Sequence, residues 1–172
     1  MKHDYTFRLG RVTLLPLEEE DIEALRVLRN QERQYFLHTD EIPADAQKKW
    51  YASYLNKEDD IMFKVVKSDN TAEFIGAIAV YDIDRVKGTA EVGRTVIDKA
   101  KAPEKGIGTD ATKAVCLFAF DVLKLKKIVG VVLKSNERIL KVDSRVGFRV
   151  VGDASEDAYQ IELTRETLNI EQ

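Results

Sequence analysis

Six stretches of the chain carry the apolar patterns that predict β-strands. The first alternates on both sides of Gly10 and Arg11, so it forms one strand or a hairpin that turns there. The fifth is a short, continuous apolar run, which is typical of a buried strand. The six predicted strands cover residues 5–15, 61–67, 73–83, 89–97, 127–133 and 159–163.

Four other stretches repeat apolar residues at the spacing of an α-helix. The acidic residues Glu18 to Asp21 suit the positive end of the first helix dipole, and Pro43 favours the start of the second helix. Gly147 ends the fourth as a left-handed C-cap. The four predicted helices cover residues 18–30, 44–56, 109–125 and 136–145. The predicted order of elements is therefore β-α-α-β-β-β-α-β-α-β.

A glycine loop precedes the third predicted helix. Gly106 and Gly108 have no Cβ, so the backbone turns tightly there and comes close to a ligand. Thr109 is the predicted N-cap of the following helix. The free backbone N–H groups and the positive end of the helix dipole then form an anion site, usually for phosphate.

Residues 106–111 also match the G-x-G-x-x-A pattern of dinucleotide-binding folds. The surrounding sequence does not fit a dinucleotide-binding fold. Such a fold has an acidic residue at the end of the next strand, where this chain has Leu133 to Asn136. A P-loop is excluded because no Gly-Lys-Ser/Thr follows at the required spacing. The hypothesis of a nucleotide-dependent oxidoreductase therefore rests on the glycine pattern alone.

Length and composition exclude several other classes of protein. The 172 residues are expected to form a single domain, residues 1–172, and the 27 basic residues nearly balance the 30 acidic ones. We therefore expect no nucleic-acid partner and no membrane partner. The start lacks an apolar stretch of the signal-peptide type, so the expected compartment is the cytoplasm. Two isolated histidines and one cysteine, Cys116, have no metal-ligand spacing, so no metal is expected.

Three motifs, taken with the order of elements, resemble the GNAT superfamily of acetyl-CoA-dependent N-acetyltransferases over essentially the whole chain. The resemblance implies a mixed α/β (α+β) fold, with a mostly antiparallel central sheet flanked by helices. Two shorter features, residues 28–30 with Phe36 and the helix residues 47–51, resemble the branch that includes ribosomal-protein and amino-sugar N-acetyltransferases. The three motifs are residues 102–111, residues 90–94, and Ser135 to Arg138 followed by Val142, Gly147 and Phe148.

The resemblance implies a binding site for acetyl-CoA as co-substrate. Asn136 and backbone groups of one strand would contact the pantetheine arm, although Asn136 is equally well explained as an N-cap. Pro103 stands where the family usually has an arginine or glutamine, so backbone donors of the glycine loop would hold the pyrophosphate. The implied cofactor-binding residues are Arg94, Thr95, Val96, Lys105, Gly106, Ile107, Gly108, Thr109 and Asn136.

Catalysis needs a group that removes a proton from the acceptor ammonium. Glu91 is the favoured base, directly or through a water, because its strand leads to the cofactor loop, although a solvated surface glutamate would look the same. His38 is a second candidate base, and an ordinary surface histidine is its alternative. Asn136 is the other predicted catalytic residue. Asp143 stands where many relatives have the tyrosine that protonates the thiolate, and an ionised aspartate is a poor acid near neutrality.

The acceptor is expected to be a primary amine. A small amine or amino sugar is favoured, a peptide N-terminus such as that of a ribosomal protein comes second, and polyamines come third. Arg29, Asn30 and His38 are the predicted substrate-binding residues, with arginines available for a phosphate or carboxylate of the acceptor. A weakly catalytic acyl-CoA-binding domain is an alternative function, and a homodimer is a possible assembly.

Overall fold

A computed structural model of the protein describes residues 1–36 and 39–170. His38, which is predicted above as a substrate-binding residue and a second candidate base, lies outside the described residues. The strands are β1 (Phe7–Leu9), β2 (Val12–Pro16), β3 (Ile61–Lys67), β4 (Gly76–Asp84), β5 (Thr89–Ile97), β6 (Lys127–Leu133), β7 (Arg149–Ser155) and β8 (Ala158–Thr164). The α-helices are α1 (Ile22–Gln31), α2 (Ala44–Leu55), α3 (Ile107–Asp121) and α4 (Glu137–Val146).

The eight strands form one sheet in the order β1-β2-β3-β4-β5-β6-β8-β7. Only the central pair, β5 and β6, runs parallel, and all other neighbours are antiparallel. The predicted mixed, mostly antiparallel sheet flanked by helices is therefore confirmed.

Helices cover both faces of the sheet, because its central strands are apolar on both sides. In β3, Ile61 and Phe63 pack into one core with Phe118 of α3, whereas Met62 packs into a second core with α1 and α2. Tyr54 of α2 is 1% exposed, and its hydroxyl accepts a hydrogen bond from the Met62 backbone N–H at 3.0 Å. The molecule thus has three layers, with α3 and α4 on one face and α1 and α2 on the other.

The pattern of apolar residues does not predict β7. All seven of its residues are exposed, and Val150 and Val151 follow one another instead of alternating. The strand lies at the outer edge of the sheet and pairs only with β8. An edge strand without a buried face leaves no period-two pattern in the sequence. At the other edge, the first predicted strand is the hairpin β1–β2, which turns at Gly10.

The third helix begins and ends earlier than its sequence pattern predicts. Gly106 is its N-cap, with φ 93° in the left-handed region, so the prediction that Thr109 caps this helix is wrong. A glycine at this position sets the turn through its backbone, and no side-chain cap is needed. At the other end, α3 stops at Asp121, and Lys124 adopts a left-handed φ of 58°.

No helix within residues 1–36 and 39–170 is long and apolar enough to span a membrane. The predicted cytoplasmic location stays a prediction.

Candidate active site

The parallel strands β5 and β6 separate part-way along their length. They pair only at their first three positions, where Thr89 to Glu91 lie opposite Lys127 to Val129. Beyond that point, Val92 to Ile97 and Gly130 to Leu133 line a cavity of about 710 Å³. This volume lies within the usual range of small-molecule sites, roughly 300–1,000 Å³. The separation therefore creates a ligand-sized site at the centre of the sheet.

A β-bulge in β5 shapes one wall of the cavity. Ala77 pairs with Val96 and Ala79 pairs with Gly93, so Arg94 and Thr95 both lie opposite one residue of β4. Arg94 adopts a left-handed φ of 55°, which is uncommon for a residue other than glycine. The edge of β5 that faces β6 has no strand partner beyond Glu91 among the described residues. Its backbone is available to an extended ligand.

The N-terminus of α3 closes one end of the cavity. Gly108 and Thr112 line it, and the N-cap residue Gly106 has no side chain to cap the first backbone N–H groups of the helix. Arg11 holds the loop in place, because its guanidinium donates hydrogen bonds to the Asp110 carboxylate at 2.9 Å and to the Lys105 carbonyl at 3.2 Å. These helix-terminal donors suit an anion such as a phosphate.

Glu91 lies next to the cavity, directly opposite Tyr81 of β4 in the sheet. The Tyr81 side chain lines the cavity. Burial and the negative charge of Glu91 raise the pKa of Tyr81, so the hydroxyl keeps its proton near neutrality. A carboxylate beside a cavity-lining residue is a candidate base for a bound amine.

Arg94 directs its side chain away from the β6 side. Its guanidinium lies 4.1 Å from the centre of the Tyr81 ring and 2.9 Å from both carboxylate oxygens of Asp60. The Asp60 side chain is only 2% exposed. The charge of Arg94 is therefore neutralised within the protein, and what β5 offers to a ligand at this residue is its backbone.

Arg29 also lines the cavity, but its charge has no counterpart among the described residues. Its Nε is buried and lacks a hydrogen-bond partner, and no carboxylate of these residues forms an ion pair with it. The guanidinium stacks 3.9 Å from the centre of the Phe36 ring. Burial and the like charge of Arg94 lower the pKa of Arg29, although an arginine stays protonated in proteins.

Asn136 is the N-cap of α4, as one of the two explanations for it predicts. Its side-chain oxygen accepts a hydrogen bond from the Ile139 backbone N–H at 3.2 Å, and its amide nitrogen donates to the Tyr35 carbonyl at 3.3 Å. Arg138 pairs with Glu32 at 3.3 Å beside it. These contacts join α4 to the segment after α1 and set one boundary of the cavity.

Asp143 lies in the cavity wall and is 9% exposed. Burial raises the pKa of its carboxyl from 3.8 to about 7, because the apolar surroundings disfavour the charged form. With a pKa of about 7, this aspartate is only partly ionised near neutrality, in place of the fully ionised carboxylate that the sequence leads one to expect. A carboxyl with this pKa is protonated in a substantial fraction of molecules at neutral pH and is a usable acid.

The structure brings most of the predicted site residues together. Arg29, Arg94, Thr95, Val96, Gly108 and Asn136 all line the one cavity. Lys105, Gly106, Ile107 and Thr109 belong to the loop and first turn at its end, without lining it. Asn30 is elsewhere, because its amide group makes two hydrogen bonds with the backbone of Ile42.

Three residues of the site are not predicted by the patterns in the sequence. The sequence indicates two of them only weakly. Tyr81 is the polar residue at the end of the apolar residues 75–81, and Asp60 is an acidic residue directly before a buried strand. Arg11 had no signal, since only folding brings it to the glycine loop. Within residues 1–36 and 39–170, no group of three or more histidine, cysteine or acidic residues could hold a metal ion.

A mixed sheet that opens between two parallel strands, beside a glycine-capped helix, is the architecture of a GNAT-type acetyltransferase. The family model for the acetyltransferase (GNAT) domain matches residues 11–149, so the chain belongs to this family. The resemblance seen in the sequence motifs is confirmed, and the protein is an N-acetyltransferase by family.

Named relatives and solved structures agree with this assignment. The chain is 29% identical over 145 residues to the spermidine N(1)-acetyltransferase of Escherichia coli (strain K12), covering 83% of this chain and 75% of that protein. It is 26% identical over 161 residues to a Bacillus subtilis (strain 168) protein named "Putative ribosomal N-acetyltransferase YdaF", covering 86% of this chain and 83% of that protein. The Vibrio cholerae spermidine N-acetyltransferase, solved with CoA and spermine, has the same fold, with a TM-score of 0.79, 20% identity and coverage of 91% and 97%.

Proposed function

We propose that this single-domain protein transfers the acetyl group of acetyl-CoA to the primary amine of a small acceptor. The observation that carries the proposal is the separation of β5 from β6 after Glu91, which opens a cavity of about 710 Å³ beside the N-terminus of α3. A structural relative with this fold was solved with CoA, which supports the choice of donor.

The residues of the cavity fit the donor by shape and by hydrogen bonding. The backbone of Arg94, Thr95 and Val96 provides an unpaired strand edge for the amide groups of the pantetheine arm. The N–H groups from Lys105 to Thr109 bind the pyrophosphate, and Gly108 leaves room for it because it has no Cβ. Asn136 keeps α4 in place and presents its polar edge to the arm.

Acetyl-CoA supplies an acetyl group activated as a thioester. Glu91 accepts the surplus proton of the attacking amine, through Tyr81 or a water, as the new C–N bond forms. The C–S bond then breaks, and the Asp143 carboxyl gives its proton to the leaving sulfur. Both carboxyl groups return to their starting states by exchange with solvent, so protons balance over one turnover.

Asp143 also bears on the alternative of a weakly catalytic acyl-CoA-binding domain. Two features favour that alternative: Pro103, which removes one donor to the pyrophosphate, and Asp143, if its carboxyl is ionised. Burial makes Asp143 a usable acid, and the first turn of α3 still offers its backbone donors. Catalysis is therefore the stronger interpretation.

Two measurements on Glu91→Gln test the proposal. Saturating acetyl-CoA should raise the melting temperature of the wild type and of the variant alike, since a ligand of the folded state stabilises it. Thiol release over a panel of amines should fall by about 10²-fold in the variant, because the base is lost. Glu156→Gln, an exposed glutamate of the β7–β8 turn, is the matched control and should keep wild-type activity. A wild type that does not respond to acetyl-CoA contradicts the proposal.

A further inference from the structure

Charged side chains from both faces of the sheet line the cavity. They are Arg29, Glu32, Arg94, Arg138 and Asp143. Arg94 pairs with Asp60 at 2.9 Å, and Arg138 pairs with Glu32 at 3.3 Å. These two pairs leave one cation, Arg29, without an opposite charge among the described residues.

Arg29 lies at the end of the cavity formed by α1 and α2. Leu25, Phe36 and Trp50 line the same end, which lies on the face of the sheet opposite α3. The N-terminus of α3, where the donor pyrophosphate is proposed to bind, borders the cavity from the other face. The position of Arg29 therefore assigns it to the acceptor and not to the donor.

The residues around Arg29 fix the position of its guanidinium but do not neutralise its charge. One side of the guanidinium rests on the Phe36 ring, and the buried Nε is left with an unused donor. A buried charge without a counter-ion is costly, and a planar guanidinium has the donor geometry that matches carboxylate and phosphate oxygens. An oxyanion bound here would satisfy both the charge and the open donor.

We propose that the acceptor amine also carries an oxyanion group, a carboxylate or a phosphate, which binds the Arg29 guanidinium. This inference rests on the proposed function and adds the class of acceptor to it. Polyamines do not fit, because they would bring further positive charges beside an arginine that is not neutralised. The chain thus differs in its expected acceptor from the spermidine acetyltransferases to which it is similar.

The test uses three pairs of amines in which only one member carries the oxyanion. The pairs are 4-aminobutyrate with butylamine, phosphoethanolamine with ethanolamine, and glucosamine 6-phosphate with glucosamine, and spermidine is the cationic probe. Binding is measured by calorimetry on the protein saturated with CoA, so the result does not depend on turnover. The first pair reports on a carboxylate and the other two on a phosphate.

We expect the oxyanion member of at least one pair to bind about tenfold to a hundredfold more tightly than its partner. Arg29→Gln should bring that ratio close to one and leave the acetyl-CoA Kd unchanged. Arg29→Lys should restore part of the preference, since it keeps the charge but not the planar fork. Arg149→Gln, which changes an exposed arginine of β7 outside the cavity, should behave as the wild type.

Several results would overturn the inference. They are equal binding of both members of every pair, tighter binding of spermidine, no binding of any oxyanion member, or an Arg29→Gln variant that loses affinity for acetyl-CoA instead. A preference for the oxyanion without acetyl transfer to any amine would refute the proposed reaction and leave the assignment of Arg29 standing.

Discussion

Two side chains of the cavity wall, the buried Asp143 and the partly buried Arg29, have no ion-pair partner in the part of the chain that the structure describes. Each is unfavourable for folding in its charged form, because burial removes water that the charge would otherwise keep. They meet this cost differently. Asp143 takes up a proton, whereas Arg29 cannot lose one and keeps its charge for a ligand.

Asp143→Asn tests the protonation of the buried carboxyl. Its folded pKa of about 7 lies above the ordinary 3.8, so the folded state binds a proton more tightly than the unfolded state. Wild-type stability should therefore fall as pH rises from about 4 to about 7. Asparagine removes this dependence, and we expect the variant to be more stable by a few kcal/mol near pH 8 and similar near pH 4. Urea unfolding at both pH values measures the difference.

The same variant tests the role of Asp143 as an acid. Loss of the proton donor should lower kcat by about 10²-fold and abolish any decline in kcat that begins near pH 7. Asp157→Asn changes an exposed aspartate of the β7–β8 turn and serves as the control. If Asp143→Asn had wild-type kcat at every pH, another group would protonate the thiolate.

At the scale of elements, the proposed donor site depends on backbone groups of β5 and α3 that have no partner within their own element or strand pair. The bulge at Arg94 and Thr95 turns one side chain towards Asp60 and leaves the strand edge open. Gly106 then sets the turn that aims the first N–H groups of α3 at the cavity. Both features are made by backbone geometry, so the loss of a side-chain donor at Pro103 leaves them intact.

The Gly108→Ala variant distinguishes an effect on acetyl-CoA binding from an effect on helix stability. An added Cβ would come no closer than 3.9 Å to Ile97, which is ordinary contact, and alanine favours a helix by up to about 1 kcal/mol over glycine. The free variant should therefore be as stable as the wild type or slightly more so. Its methyl group would enter the cavity, and we expect the acetyl-CoA Kd to rise by about tenfold, since the N–H groups of the turn are harder to approach.

Gly152→Ala is the matched control for this variant, because nothing lies within 4 Å of a Cβ at that position of β7. Thermal unfolding and calorimetry of both variants make the comparison. An unchanged Kd in Gly108→Ala would show that the donor does not approach this turn.

At the scale of the whole molecule, the gap between β5 and β6 connects the two faces of the sheet. Gly108 and Thr112 border the cavity from the face of α3, and Leu25 and Trp50 border it from the face of α1 and α2. A donor and an acceptor can therefore approach from opposite faces and meet where the strands part. Such an arrangement brings two molecules together in one geometry, which is a large part of catalysis.

Hydrogen exchange tests this arrangement across the chain. Acetyl-CoA should slow amide exchange by tenfold or more in residues 107–109 and along residues 94–96, because the ligand covers the first turn of α3 and the edge of β5 that has no strand partner among the described residues. Amides of β3 should not change, since this strand already pairs with β2 and β4. Protection confined to β7 or to β1 would place the donor elsewhere.

Local patterns in the sequence determined much of the fold. The bounds of β3, β5 and β6 agree with the predicted strands, and Gly147 ends α4 with φ 111° as predicted. These features depend on a residue's own conformational preference or on apolar neighbours a few positions away, so they are visible in the chain itself. The motifs that identify the family are local in the same way.

Only the tertiary structure decided the chemistry of the cavity. The sequence shows neither that Arg94 meets Asp60, nor that Arg29 lacks an ion-pair partner within residues 1–36 and 39–170, nor that burial raises the pKa of Asp143 to about 7. Each depends on contacts between residues far apart in the chain, and pKa values respond to burial and nearby charge instead of to sequence position. The sequence by itself determined that the protein is an acetyltransferase, and the folded arrangement of charges decided which kind of acceptor we expect it to bind.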